Sequence, residues 1–104
     1  MSQMDLGVSP ERIVEFCRRW KISRLAVFGS ALRGKLQADS DIDLLATFAE
    51  DAEWSMFDHY RMEDELVELL GREVDLVSKE AVEENPNPIF RREILTSARE
   101  IYAA

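Results

Sequence analysis

Two short runs of the sequence share one pattern, Ile42-Asp43-Leu44 and Val74-Asp75-Leu76, and a long amphipathic segment, Met56–Leu70, separates them. An acidic residue between apolar ones, in a stretch rich in branched side chains, suits a strand with one buried face. The segment between carries Met56, Phe57, Tyr60, Leu66, Val67 and Leu70, and Gly71 stands where a helix needs its C-cap. A helix of that length can return the chain to the start of the sheet, so the two strands are expected to be parallel. Parallel strands start at the same edge. Asp41 and Asp43, two apart in a strand, project on one side, and Asp75 is expected beside them.

The rest of the chain fits around this unit. Ser9-Pro10-Glu11 reads as N-cap, first-turn proline and first-turn acid, opening a helix over residues 10–20 with Ile13, Val14, Phe16, Cys17 and Trp20 at helical spacing. Leu25–Phe28 reads as a short buried strand ended by Gly29, and Ser30–Arg33 as one helical turn closed by Gly34. Asp41–Phe48 and Glu73–Ser78 are the second and third strands. Asn85-Pro86-Asn87-Pro88 is a rigid turn with Asn87 as N-cap. A last helix is expected to reach about Ile101, with Phe90, Ile94, Ala98 and Ile101 on one face. The expected fold is an α/β (α+β) sandwich, with a short mixed three-stranded sheet flanked by helices. The connection from strand one to strand two is short. Antiparallel pairing there brings Gly29-Ser30 alongside the start of strand two.

Size and charge narrow the function. The chain has 104 residues, 46% hydrophobic and 33% charged, which suits a single domain over 1–104 with one core. The lone Cys17 makes no intramolecular disulfide. The first ten residues show no signal-peptide pattern, and no apolar run approaches a membrane span. A reducing cytoplasm and no membrane are the expectation. The net charge of -8 and the pI near 4.6 argue against direct nucleic-acid binding. They suit metal cations or a basic partner.

Why, then, place three carboxylates at one sheet edge? Two unit charges about 4 Å apart repel by roughly 4 kcal/mol at an effective dielectric of about 20. Hard divalent cations compensate: Mg²⁺ takes oxygen ligands, usually one or two carboxylates plus substrate phosphates. A pair of such ions stabilises the attacking and leaving oxygens of a phosphoryl-type displacement. The turn at Gly29-Ser30 exposes backbone N–H groups suited to phosphate oxygens.

Gly29-Ser30 followed by Asp41-x-Asp43, with a third aspartate on a later strand, resembles the nucleotidyltransferase fold of the DNA polymerase β superfamily. The short length and the Ser40-Asp41-Ile42-Asp43-Leu44-Leu45 wording are most similar to the minimal nucleotidyltransferase (MNT) family. The resemblance covers roughly residues 10–100. It implies an enzyme that transfers a nucleotide from Mg-ATP, with two Mg²⁺ ions. Asp41 and Asp43 would hold metal, Asp75 would complete the site, and Gly29 and Ser30 would hold the phosphates. Many MNT proteins are antitoxins of HEPN toxins, and some carry AMP to the toxin. A HEPN-like toxin is therefore the implied partner, with AMP placed on one of its hydroxyls. A contact-only antitoxin and transfer to a small molecule are the competing readings.

Other residues carry blander alternatives. Arg33 and Lys35 are either near the triphosphate or exposed loop charges. Ser40 is a strand-start cap or a neighbour of the metal site. Ser30 as a nucleophile lacks a base. An EF-hand would use Asp39, Asp41, Asp43 and Glu50, but Leu44 stands where its sharp turn needs glycine. His59 reads as a surface residue. Cys17, Trp20, Trp54 and the methionines read as core or interface, and Glu63-Asp64-Glu65 as a solvated helix face.

Overall fold

The computed structural model describes residues 9–28 and 41–104. In chain order the elements are α1 (Pro10–Arg19), β1 (Ile22–Phe28), β2 (Ile42–Phe48), α2 (Met56–Leu70), β3 (Val74–Ser78), α3 (Lys79–Glu83), α4 (Pro88–Ser97) and β4 (Arg99–Ala103). The strands form one sheet in the order β3-β2-β1-β4. β2 and β3 are parallel, while β1 is antiparallel to β2 and to β4. The mixed α/β architecture is the expected one, but the sheet has four strands, not three.

The fourth strand comes from the stretch assigned to the last helix, which ends at Ser97 instead of about Ile101. Thr96 and Ser97 turn their hydroxyls back onto the carbonyls of Arg92 and Glu93, and Ala98 is already extended. Such back-bonding competes with helix propagation. The chain then pairs with the free edge of β1, whose backbone groups need partners. The apolar spacing Phe90, Ile94, Ala98, Ile101 runs on past the helix because its last members serve different cores. Ala98 packs beside Ile94 and Leu45, whereas Ile101 packs on the opposite side.

β1 also begins earlier than expected, at Ile22. A register irregularity between Ile22 and Arg24 puts Ile22, Leu25 and Val27 all in the interior, which hides the strand from a strict two-residue pattern. The short α3 was not foreseen. Ser78 caps it by accepting from the Ala81 N–H at 3.1 Å, and Val82 is buried.

The sheet buries both faces. On one, Ile42, Leu44 and Ala46 of β2 meet Ile13, Phe16 and Cys17 of α1 and Met62, Leu66 and Leu70 of α2. On the other, Leu45 meets Val82 of α3 and Ile94 of α4. Burial pushes the Cys17 thiol up to about 12, so it is a packing residue and not a nucleophile.

α2, the crossover between the parallel strands, is tied at both ends. Ser55 Oγ accepts from the Asp58 N–H at 3.2 Å and the Ser55 N–H donates to Asp58 Oδ2 at 3.1 Å, a reciprocal cap. Gly71 closes the helix in the left-handed region at φ 73°. In α1, Ser9 occupies the N-cap without a side-chain bond. At α4, Asn87 caps as expected, accepting from Ile89 N–H at 3.0 Å.

Two residues of the Glu63-Asp64-Glu65 run are bonded within the fold. Glu65 binds Arg19 and the Trp20 indole, joining α2 to α1. Glu63 Oε2 accepts from the Leu76 N–H at 2.9 Å on the outer edge of β3. Among the described residues, no helix is long and apolar enough to cross a membrane.

Candidate active site

The parallel ladder sets Asp43 directly opposite Asp75, one step after the Ile42–Val74 pair. The Ile42 N–H donates to the Glu73 carbonyl at 2.9 Å, so the ladder is closed up to the edge. On the other side of β2, Asp43 faces Phe28, the last residue of β1. Asp41 directly precedes β2 and is exposed, Asp43 is half-buried, and Asp75 is exposed. The register thus sets Asp43 beside Asp75, with Asp41 immediately before β2.

Strand alternation puts Asp43 on the face of Leu45, and Asp75 on the face of Val77. That face is apolar further along, where Leu45 and Val77 pack with Val82 and Ile94. The helices α3 and α4 supply this cover, and the carboxylates lie at the start of the strands. The Asp43 carboxyl is held above its ordinary value of 3.8, first by burial, then by the Asp75 charge, then by that of Asp41. Neighbouring strands lie about 4.8 Å apart. At such a spacing two charges repel by roughly 3 kcal/mol at an effective dielectric of about 20, before water around the exposed Asp75 weakens it.

Carboxylate oxygens are the ligand type that Mg²⁺ takes. The edge offers such oxygens, and Asp43 among them is disfavoured as an anion by burial first and by Asp75 and Asp41 next. Among the described residues, no group of three or more aspartate, glutamate, histidine or cysteine side chains is placed to hold a metal ion by itself. An open carboxylate edge suits an ion that completes its shell with water and substrate phosphates.

Gly29, Ser30, Arg33, Lys35 and Ser40 lie outside the described residues, as does the proposed helical turn over 30–33. The EF-hand alternative fails because Leu44 is buried within β2. His59 is half-buried and lies 3.7 Å from Glu63, not beside the aspartates. Glu63, which reads in the sequence as part of a solvated face, holds the backbone next to Asp75 through the Leu76 N–H. Its position in a helical acidic run gave no sign of that role.

The profile of the nucleotidyltransferase domain matches residues 11–101. The chain belongs to the nucleotidyltransferase domain family. Protein adenylyltransferase MntA of Thermococcus cleftensis is 35% identical over 81 residues, covering 78% of this chain and 80% of the relative. A solved toxin–antitoxin structure with AMP-PNP superposes with a TM-score of 0.71 at 19% identity, covering 93% of this nucleotidyltransferase and 75% of the solved chain. A tri-AMPylated Shewanella oneidensis HEPN toxin in complex with its MNT antitoxin gives a TM-score of 0.62 at 18% identity, covering 91% and 70%. At these identities the two structures establish the shared fold. The resemblance to minimal nucleotidyltransferases read from Gly29-Ser30, Asp41-x-Asp43 and Asp75 thus agrees with the profile, the relative's name and the fold.

Proposed function

We propose that this nucleotidyltransferase moves AMP from ATP onto a hydroxyl of a partner protein, and that the partner is a HEPN-type toxin. The observation that carries the reading is the direct Asp43–Asp75 pairing, with Asp41 just before it, at one edge of the sheet. A carboxyl whose ionisation is made costly by burial and by acidic neighbours has no use in a contact-only binder. The adenylyltransferase name of MntA and the AMPylated toxin in the Shewanella complex support the choice of AMP and of partner. The AMP-PNP complex supports ATP as donor.

In this reading Asp41, Asp43 and Asp75 hold Mg²⁺, which when bound neutralises triphosphate charge and stabilises the transferring phosphoryl group. Gly29 and Ser30 hold the phosphates, with Arg33 and Ser40 beside them. The acceptor oxygen bonds to the α-phosphorus, the bond from that phosphorus to the bridging oxygen breaks, and pyrophosphate leaves. The exposed Asp75 carboxylate takes the hydroxyl proton. The protein works in a reducing cytoplasm, consistent with its buried thiol.

Co-expression with a HEPN-type partner, size-exclusion chromatography and intact mass after incubation with ATP and Mg²⁺ test the reading. The partner is expected to co-elute and to gain AMP on tyrosine, serine or threonine. Co-elution with unchanged mass would favour contact-only neutralisation. A chain that elutes alone and modifies only small molecules would overturn the antitoxin role.

A further inference from the structure

We propose that the first turn of α2 and the cleft beside it dock a positively charged amphipathic helix of the partner, away from the carboxylate edge. This rests on the reading that the acceptor is a protein. Met56 is 68% exposed, Phe57 72% and Tyr60 58%, although all three are large and apolar in body. A helix turns about 100° per residue, so positions 56, 57 and 60 form one stripe, with Phe57 farthest from the face of the buried Met62, Leu66 and Leu70 and Met56 at its border. Clustered exposed aromatics of this kind are the usual anchors of an interface.

The stripe borders a cleft of about 600 Å³ between the start of α2 and α3. Phe48 at the end of β2, Trp54 just before α2 and His59 in α2 are among the residues that line it. Trp54 is fixed in place: its indole N–H donates to the Trp20 carbonyl at 2.9 Å, and the two rings meet edge-on at 5.1 Å. A prearranged apolar wall loses little freedom when a partner lands on it.

Charge selects the occupant. The cleft carries Glu50, Glu80 and Glu83 against a single Lys79. Beyond the stripe, Asp64 is exposed one turn after Tyr60, and Arg61 is drawn over the Trp20 ring at 6.0 Å. A second copy of this chain, at net charge -8, would bring acid against acid. A helix with an apolar stripe flanked by lysine and arginine matches both the stripe and the rim. The cleft reaches Phe48, five residues along β2 from Asp43, or about 17 Å at the rise of a strand. Docking and transfer would therefore occupy opposite ends of the sheet, one segment of the partner held while another presents its hydroxyl.

The test substitutes Met56→Ser, Phe57→Ser and Tyr60→Ser together, which removes apolar surface and leaves the charge unchanged. The first probe is an amphipathic leucine/lysine peptide, measured by calorimetry, with a leucine/glutamate peptide as control. Binding of the lysine peptide is expected to weaken about tenfold or more in the triple variant, and the glutamate peptide to bind neither protein. Equal affinity for parent and variant would overturn the site, because bulk charge attraction is the same in both. Self-association of the parent that the triple variant abolishes, seen by sedimentation, would overturn the choice of occupant. The second probe is a HEPN-type toxin: Asp43→Asn is expected to keep the complex and the triple variant to lose it. A toxin held equally by parent and triple variant would overturn the docking surface. A toxin that ignores the parent would remove the partner reading, and the peptide result would still judge the surface.

Discussion

Asp43 on β2 and Asp75 on β3 are direct neighbours across a parallel ladder, the first half-buried and the second exposed. The pair is a consequence of topology. A βαβ crossover starts both strands at one edge, and the Ile42–Val74 register then leaves no freedom in which residues meet. The same geometry makes Asp43 a burden on the metal-free fold.

The folded protein binds the Asp43 proton more tightly than the unfolded chain does, since burial, Asp75 and Asp41 all disfavour its anion. Its contribution to stability is thus fully present below the ordinary value of 3.8 and is lost as pH rises through its raised folded value. Asp43→Asn should therefore melt above the parent at neutral pH in metal-free buffer, with the gain disappearing toward pH 3.8. Thermal melts across pH check this. A variant no more stable than the parent at neutral pH would show that the carboxylates are not in conflict.

Magnesium should reverse that ordering. If the edge holds Mg²⁺, the parent gains stability by mass action, about 1.4 kcal/mol at roughly ten times the Kd, and Asp43→Asn gains less. Transfer by Asp41→Asn or Asp43→Asn should fall by about two to three orders of magnitude while folding survives, as when a preorganised charge is removed. Melts with and without Mg²⁺, beside a mass-based transfer assay, separate binding from chemistry. Full transfer by both variants would rule out this carboxylate edge as the site.

The Asp43–Asp75 pairing was legible because it is set by strand period and crossover logic, which depend on local spacing. Asp41, Asp43 and Asp75 needed only alternation and a parallel return. The ends of elements were less legible. Ile101 sits at helical spacing from Phe90 and Ile94, yet it packs in a strand, because the unpaired edge of β1 is a tertiary demand that local spacing does not contain. The apolar residues of α2 were equally misleading: Met62 is in the core, whereas Met56, Phe57 and Tyr60 face outward. Glu63 was hidden for the same reason, since its partner is thirteen residues away on another element.

Glu63 offers a direct check on the edge of β3. Its carboxylate accepts from the Leu76 N–H, beside Asp75, and His59 lies 3.7 Å away on the preceding turn. Glu63→Ala leaves that N–H without its acceptor, at an expected cost of about 1–3 kcal/mol. Glu63→Gln retains a carbonyl oxygen and should lose less. Urea midpoints give the stability, and amide exchange at Leu76 should quicken in the alanine variant. Unchanged exchange there would mean that the bond contributes nothing to holding the strand.

Gly71 tests the end of the crossover helix. Its φ of 73° lies where an L side chain is strained, and an added Cβ would meet no atom within 4 Å. Sterics with neighbours are therefore absent, and only the backbone penalty remains. Gly71→Ala should cost about 1–2 kcal/mol. Gly71→Asn should cost less, because asparagine tolerates the left-handed region. Both variants should keep the transfer activity of the parent, since the change is local to the turn before β3 and leaves the Asp43–Asp75 register paired. Chemical denaturation beside the transfer assay reads both quantities. A loss of transfer larger than the loss of stability would show that this turn sets the position of Asp75, which its placement three residues before the start of β3 makes a sharp outcome to look for.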